Sequence, residues 1–375
     1  MKRINIVRHQ VIYKDPFAYC AHPHIVDGRD QSWCVVFNRT MRRSYILHPP
    51  NDPHYYNLVM RSNNQGESWS VPQVAPGYDW YGVECAGLTS LSNGVILLNQ
   101  WRFKWFPLGY AERMAEKSTY TLPADWVREM ITDGEINRGT AFPTNVEDYF
   151  PWARANGGTF VHRSSDYGVS WKDTIEIGTA PYSGGYGMRG AVELSHGELI
   201  LPLSDVPNYQ TVFIVRSKDY GLTWEEPIKV ASQTGLFFEE PSALLLPDGR
   251  ILMMLRENKT HWLYQTESLD GGYTWSEPIQ TPIWGYPAHL LLLPDQRVLC
   301  VYGYRKQPYG IRAVLSNDFG HTWDVDNVLI IREDFPNRDL GYPSSVLKEN
   351  GHVYTVYYGQ DTDGVTCIQA SEFEI

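Results

Sequence analysis

The strongest constraint on this chain is a short pattern that it writes five times. It reads RSNNQGESW at 61–69, RSSDYGVSW at 163–171, RSKDYGLTW at 216–224, ESLDGGYTW at 267–275 and LSNDFGHTW at 315–323. The closing tryptophans stand at 69, 171, 224, 275 and 323, so the gaps are 102, 53, 51 and 48. A period near 50 residues marks a propeller or a solenoid. Each late copy follows the same grammar: an apolar run, a tight turn, a second apolar run, then a third run entering the motif. EEPSALLLPDGRILMMLREN, YPAHLLLLPDQRVLCVYGYR and RGAVELSHGELILPLSDV show the first two runs. Two β-rich runs about a short turn make a hairpin. Three runs and a strand after the tryptophan make the four-stranded blade of a propeller.

This grammar occurs six times, so the expected fold is all-β, a six-bladed propeller occupying residues 1–375. Blade one begins at AHPHIVDGRDQSWCVVFNRT, and blade two at ECAGLTSLSNGVILLNQWRF. Blade two reaches its motif only at Trp171 because an insertion of about 50 residues, around 103–150, interrupts it, which explains the doubled first gap. Blade six, LGYPSSVLKENGHVYTVYYG plus GVTCIQASEFEI, ends without an outer strand. The alternating N-terminal segment RINIVRHQVIY has no blade of its own and is expected to supply that strand. Within the repeated motif, Ser and Asp can bond the backbone of their own turn, Gly permits positive φ, and Trp can bury its ring between blades. The five copies therefore read as turn staples, not as five active sites.

Composition narrows the function. The net charge of −11 does not suit a nucleic-acid binder. The five cysteines, Cys20, Cys34, Cys85, Cys300 and Cys367, form no C-x-x-C pair and indicate neither a disulfide framework nor a zinc site. No apolar run of about 18 residues predicts a membrane span, and the start MKRINIVRHQVIYKD lacks a signal peptide's apolar core. A cytoplasmic location is the expectation, with no cofactor and no metal.

In a four-stranded blade the start of strand one and the end of strand two lie at one mouth of the ring, and the motif turns lie at the other. At the strand-two ends stand Arg39, Arg102, Asp205, Arg256 and Arg305. Arginines recurring there suit an anionic ligand gripped through bidentate bonds, or pair with acidic groups of adjacent blades. Counting back nine residues from the turn glycine places Glu240 and Tyr342 at the strand-one starts of blades four and six. Blade three offers Arg189 one place later, and blade two offers Glu84. A Tyr beside a carboxylate base can act as a nucleophile; a core Tyr with a bonded hydroxyl is the plainer alternative.

The repeated motif resembles the Asp-box of the sialidase (neuraminidase) superfamily of six-bladed propellers, and the likeness covers nearly the whole chain. EEPSALLLPDGRILMMLR is similar to the family's blade-four segment, which implies a site glutamate at Glu240 and a carboxylate-binding arginine at Arg256. GYPSSVLKENG implies a nucleophilic Tyr342, and NDPHYYNLVMRSNN an acid/base Asp52. Arg305 lies near the family's third arginine, with Arg312 as the alternative. The likeness fails where the first arginine belongs: the chain reads YCAHPHIV, so Ala21 and His22 stand in place of Arg and Ile. His22, His24, Arg39 and Arg189 are candidate replacements.

The insertion contains LGYAERMAEK and LPADWVREMITDG, read as short helices walling the mouth, with Tyr149 and Trp152 as sugar platforms. The resemblance implies a retaining exo-glycosidase for an anionic sugar such as sialic acid, with a glycan as its partner. The alternatives are a lyase or another glycosidase on uronate- or rhamnose-containing glycans with His22 or His24 as base, and a non-catalytic carbohydrate-binding propeller.

Overall fold

The computed structural model describes residues 2–28, 32–42, 52–77, 82–111, 113, 120–121 and 152–375. Among them six antiparallel sheets of four or more strands follow one another along the chain, the blades of a six-bladed β-propeller. Blade four shows the plan most simply: Phe238–Leu245, Ile251–Glu257, Trp262–Ser268 and Ile279–Trp284 lie side by side in chain order. Its second strand is apolar on both faces because both faces are covered. Leu252 and Met254 pack with Leu290 and Cys300 of blade five. Ile251, Met253 and Leu255 pack with Ile214 of blade three. Each such side chain removed from water contributes roughly 1.5–3 kcal/mol.

The ring closes as the N-terminal alternation predicts. Ile6–Tyr13 runs antiparallel to Thr366–Phe373 and becomes the outer strand of blade six. The first residues add a contact the sequence did not announce: Lys2–Arg3 pairs in parallel with Leu329 and Ile330 at the edge of blade five. One end of the chain thus ties two blades.

Blade two departs in its boundaries. Its second strand, Ile96–Pro107, continues five residues past Arg102 and pairs with Trp152–Ser164, matching Pro107 to Trp152. The insertion therefore begins at 108, not 103. Of the first expected helix, Leu108–Ala111 is helical. Arg113 follows in a turn, its N–H donating to Tyr110 O at 3.1 Å; the other residues of that helix, the second helix and Tyr149 lie outside the described residues. Trp152 sets its ring edge-on to Trp105, with centroids 6.5 Å apart. In blade three the first strand is split into Gly184–Tyr186 and Val192–Ser195, both paired to Glu198–Val206.

At one end of the ring the Asp-box turns repeat almost atom for atom. In the blade-four copy, Ser268 Oγ donates to Asp270 Oδ1 at 2.8 Å and accepts from Gly272 N at 2.8 Å. Thr274 donates its N–H to Asp270 Oδ1 and its hydroxyl to Oδ2. The turn takes left-handed backbone twice running, at Gly271 (φ 73°) and Gly272 (φ 91°), and glycine recurs at the second position, as Gly66, Gly168, Gly221 and Gly320 in the other copies. The closing tryptophans reach the neighbouring blade: Trp323 of blade five donates from Nε1 to Gln265 of blade four at 2.8 Å. Among the described residues no helix is long and apolar enough to cross a membrane.

Candidate active site

The other end of the ring is built on a local break in the inner strands. Ladder register slips between Ala21 and His24, between Glu239 and Ser242, and between Gly341 and Ser344, so each inner strand carries a bulge. The bulged residues are His22-Pro23, Glu240-Pro241 and Tyr342-Pro343. Proline has no N–H for the ladder, and it disfavours right-handed helical backbone in the residue before it. His22 (φ 55°), Glu240 (φ 51°) and Tyr342 (φ 50°) all adopt the left-handed conformation. That conformation costs non-glycine residues roughly 1–2 kcal/mol each. Left-handed non-glycine backbone also occurs in the Asp-box turns, at Gln65, Tyr167, Tyr220 and Phe319, but at this mouth it falls on three residues that the sequence marks as site candidates.

The bulges of blades four and six bring two of these side chains together. Tyr342 donates its hydroxyl to Glu240 Oε1 at 2.5 Å. Arg256 Nη1 stands 2.8 Å from Glu240 Oε2 and 3.4 Å from the Tyr342 oxygen. Tyr342 and Glu240 are each 4% exposed, so the short bond acts where water screens little. Arg256 also pairs with Glu239, Nε to Oε1 at 3.4 Å, and Tyr186 donates to Glu239 Oε2 at 2.8 Å. Burial raises the Glu239 carboxyl to about 7, against the pull of Arg256 and with repulsion from Glu240. Arg305 approaches from blade five: its Nε donates to Leu340 O at 3.1 Å, and its guanidinium lies 4.8 Å from the Tyr286 ring and 5.7 Å from the Tyr342 ring. Arg256 covers the same Tyr286 ring at 4.3 Å. Burial opposes ionisation of Tyr286, yet Arg305 and Arg256 bring its phenol below the usual value. Two guanidiniums, a phenol and a carboxylate thus share one opening.

His22 belongs to this centre. Its ring meets Tyr342 edge-on with centroids 4.2 Å apart, and its Nδ1 lies 3.0 Å from Asn38 Oδ1. His24 sits elsewhere: its Nδ1 accepts from Leu88 N at 2.9 Å, and burial, with Arg189 and His289 nearby, keeps it neutral. Arg189 reaches across the ring to carbonyls of two other blades, Ala288 O at 3.1 Å and Pro343 O at 2.8 Å. Pro343 follows Tyr342, so Arg189 braces the backbone that carries the phenol.

Arg39, Arg102, Asp205 and Arg312 lie apart from that opening. Arg39 bonds Tyr56 at 2.6 Å and pairs with Asp15 at 2.5 Å. Arg102 lies over the Phe160 ring at 4.2 Å with Nη2 3.4 Å from His162. Parity explains both. Arg256 is five residues beyond Ile251, the first strand-two residue of its ladder. Arg39 and Arg102 stand six beyond the equivalent Trp33 and Ile96. One extra residue turns a side chain to the opposite face of its sheet. Asn38, not Arg39, occupies the position of Arg256 in blade one. Of the four arginines at the strand-two ends, Arg256 and Arg305 lie over one Tyr286 ring, and Arg39 and Arg102 do not come together with them. Asp205 staples a turn, accepting from Gln210 N and Thr211 N. Arg312 stacks on Tyr304 at 3.3 Å.

Asp52 is fully buried on blade one, accepting from Thr40 at 3.2 Å and from His54 N at 3.0 Å. Glu84 stands where its field reaches the centre. Burial raises its carboxyl to about 8, with Arg154 opposing and Glu239 and Glu240 assisting. Arg154 and Tyr209, bonded at 3.4 Å, were not singled out from the sequence; neither were Glu239, Tyr186 and Tyr286. One signal in the sequence could have found Tyr286. An X-Pro pair opens the inner strand in four blades, at His22, Glu240, Tyr286 and Tyr342, and proline inside a strand marks a bulge. Among the described residues no group of three His, Cys, Asp or Glu side chains could hold a metal ion.

A propeller with Asp-box turns at one mouth and a Tyr–Glu–Arg cluster at the other defines a class, and comparison places the chain within it. Residues 146–355 match the BNR repeat-like domain, and the chain belongs to that family, within the sialidase superfamily. A protein of unknown function from Dyadobacter fermentans has a similar fold, with TM-score 0.81 and 24% identity over 99% of each chain. The NanB sialidase of Streptococcus pneumoniae gives TM-score 0.67 and 15% identity over 98% of this chain and 70% of that one. The "Anhydrosialidase" of Macrobdella decora is 25% identical over 276 residues, 65% of this chain and 34% of the leech protein. The chain thus spans about a third of the length of the curated relative it matches. These likenesses support a glycosidase-like function.

Proposed function

We propose that the protein is a retaining exo-glycoside hydrolase acting on an anionic sugar, sialic acid or a relative. The observation that carries this reading is the 2.5 Å hydrogen bond from Tyr342 to Glu240, flanked by Arg256 at 2.8 Å. Glu240 takes the phenol proton as the Tyr342 oxygen attacks the anomeric carbon, and Asp52 protonates the departing glycosidic oxygen. Asp52, now a base, removes a proton from a water that attacks the anomeric carbon and displaces the Tyr342 oxygen, and that oxygen recovers its proton from Glu240. Each displacement inverts the anomeric centre, so two retain it. A neutral phenol suits a carbon that carries a carboxylate, because a carboxylate nucleophile would be repelled. Arg256 and Arg305 supply the opposite charge for that substituent. The sialidase names among the relatives support the same reading.

The test is a panel of aryl glycosides of sialic acid, its deaminated analogue, uronates and rhamnose, run beside Tyr342→Phe. Turnover of an anionic glycoside, abolished by the substitution, supports the reading. No turnover on any member rejects it. A second reading draws on His22 beside Tyr342, with Ala21 where the resemblance implies an arginine: elimination from a uronate-containing glycan with His22 or His24 as base. An unsaturated product absorbing in the ultraviolet would select it.

A further inference from the structure

The hydrogen bonds leading away from His22 cross blades one and two as a single chain. His22 Nδ1 lies 3.0 Å from Asn38 Oδ1, and Asn38 Nδ2 donates to Asn57 Oδ1 at 2.5 Å. Asn57 Nδ2 donates to Gln100 Oε1 at 2.9 Å, and Gln100 Nε2 lies 2.8 Å from His162 Nε2. Side-chain amides can ordinarily be reversed without changing their shape. Here two backbone carbonyls remove the choice. Pro76 O lies 2.5 Å from the Gln100 nitrogen, and Glu84 O lies 3.3 Å from the Asn57 nitrogen. A carbonyl only accepts, so reversing either amide would set oxygen against oxygen.

The far end agrees independently. His162 Nε2 faces two donors, Gln100 Nε2 and Arg102 Nη2, while its Nδ1 faces the Thr174 hydroxyl at 2.9 Å. Burial and Arg102 lower its pKa to about 3, so it stays neutral and accepts at Nε2. With Asn57 fixed, its oxygen faces Asn38. Asn38 must then turn its NH2 to Asn57 and its oxygen to His22. An amide oxygen beside Nδ1 keeps a proton on that nitrogen. His22, Asn38, Asn57, Gln100 and His162 are all at most 2% exposed, so water offers no alternative partners.

We propose that His22 is a positioning residue of the Tyr342 centre, locked by this chain of amides as the Nδ1-protonated imidazole, so that Nε2 is the only ring nitrogen whose protonation can change. The lock also holds the ring edge-on to Tyr342, 4.2 Å away. The chain has Ala21 where the resemblance implies an arginine, and the group that meets Tyr342 is an imidazole that can be neutral and accept a hydrogen bond. The effect on turnover rests on the proposed function; the tautomer does not.

The experiment is a long-range ¹H–¹⁵N correlation of the full chain, labelled at histidine, in mildly alkaline buffer, with His22 assigned by comparison with His22→Gln. Nδ1 of protonated type and Nε2 of unprotonated type are expected. A proton on Nε2, or averaging of the two forms, would overturn the proposal. Asn38→Leu removes the acceptor, and the tautomers should then average. On the aryl glycoside that the panel selects, kcat should fall about tenfold with KM kept, the usual scale for losing an orienting partner. Asn38→Asp keeps an acceptor on Nδ1 and should keep the Nδ1-protonated spectrum and most of the rate, at a cost in stability because its second oxygen faces Asn57 Oδ1. Equal spectra and rates for the two variants would refute the positioning role. If Asn38→Leu does not fold, the parent and Asn38→Asp spectra decide. If no glycoside is turned over, the proposed function fails while the spectra still decide the tautomer.

Discussion

The two mouths of this propeller are made from the same strands and obey opposite rules. At the Asp-box mouth each turn repeats: Gly66, Gly168, Gly221, Gly272 and Gly320 all donate to a serine hydroxyl at 2.7–2.9 Å. At the other mouth the bulge repeats but its residue does not; blades one, four and six present His, Glu and Tyr on nearly the same backbone. Repetition makes a stable ring. Divergence at one position of that ring places unlike groups within hydrogen-bond reach, which chemistry requires. Substitutions at the first mouth should therefore change stability and leave turnover alone, and those at the second the reverse.

The largest expected effect is at the divergent mouth. Tyr342→Phe should lower kcat by roughly three orders of magnitude or more, with the melting temperature nearly unchanged, as measured on the glycoside the panel selects. Glu240→Gln should cost about 10²–10⁴-fold in kcat, the scale of a lost general base. If either variant instead lost stability and kept its rate, the division between the two mouths would be wrong.

Stability effects are smaller and can be read by thermal unfolding. Ser268→Ala removes a buried hydroxyl with two partners and should cost about 1–2 kcal/mol, a shift of roughly 1–3 °C in a chain this long, with kcat unchanged. Glu84→Gln sharpens the contrast through pH. A carboxyl raised to about 8 by burial weakens the fold progressively as pH rises from its unfolded value. The variant should match the parent near pH 4 and melt about a degree or more higher above pH 8. Asp270 has the opposite sign. The hydroxyl and N–H of Thr274 hold its carboxyl down to about 2, so its contribution is present above the unfolded value and lost as pH falls toward 2. The melting difference between the parent and Asp270→Asn should be full at neutral pH and vanish in that acid window.

The ring was legible because its signals are local and repeated. Ser268, Asp270 and Gly272 satisfy one another within five residues, so the turn could be read from the string. The N-terminal strand could be placed because Ile6–Tyr13 alternates and blade six lacked an edge. Facing was harder. Whether Arg39 reaches the opening depends on one residue of register, fixed only when Trp33 pairs with Asp27. The partner of Glu239 was likewise hidden: Tyr186 meets it only through the closed ring, and no spacing links position 186 to 239. The pairing of Lys2 with Leu329 is too short for any pattern to announce.

The central claim is that the Tyr342 phenol forms a covalent bond to the sugar. An activated, fluorinated sugar of the class the glycoside panel selects slows the second step, and mass spectrometry of the digested protein then locates the adduct. The account predicts one sugar on the peptide containing Tyr342 and none in Tyr342→Phe. An adduct on another residue, or inactivation of the Tyr342→Phe protein at the parent's rate, would contradict it.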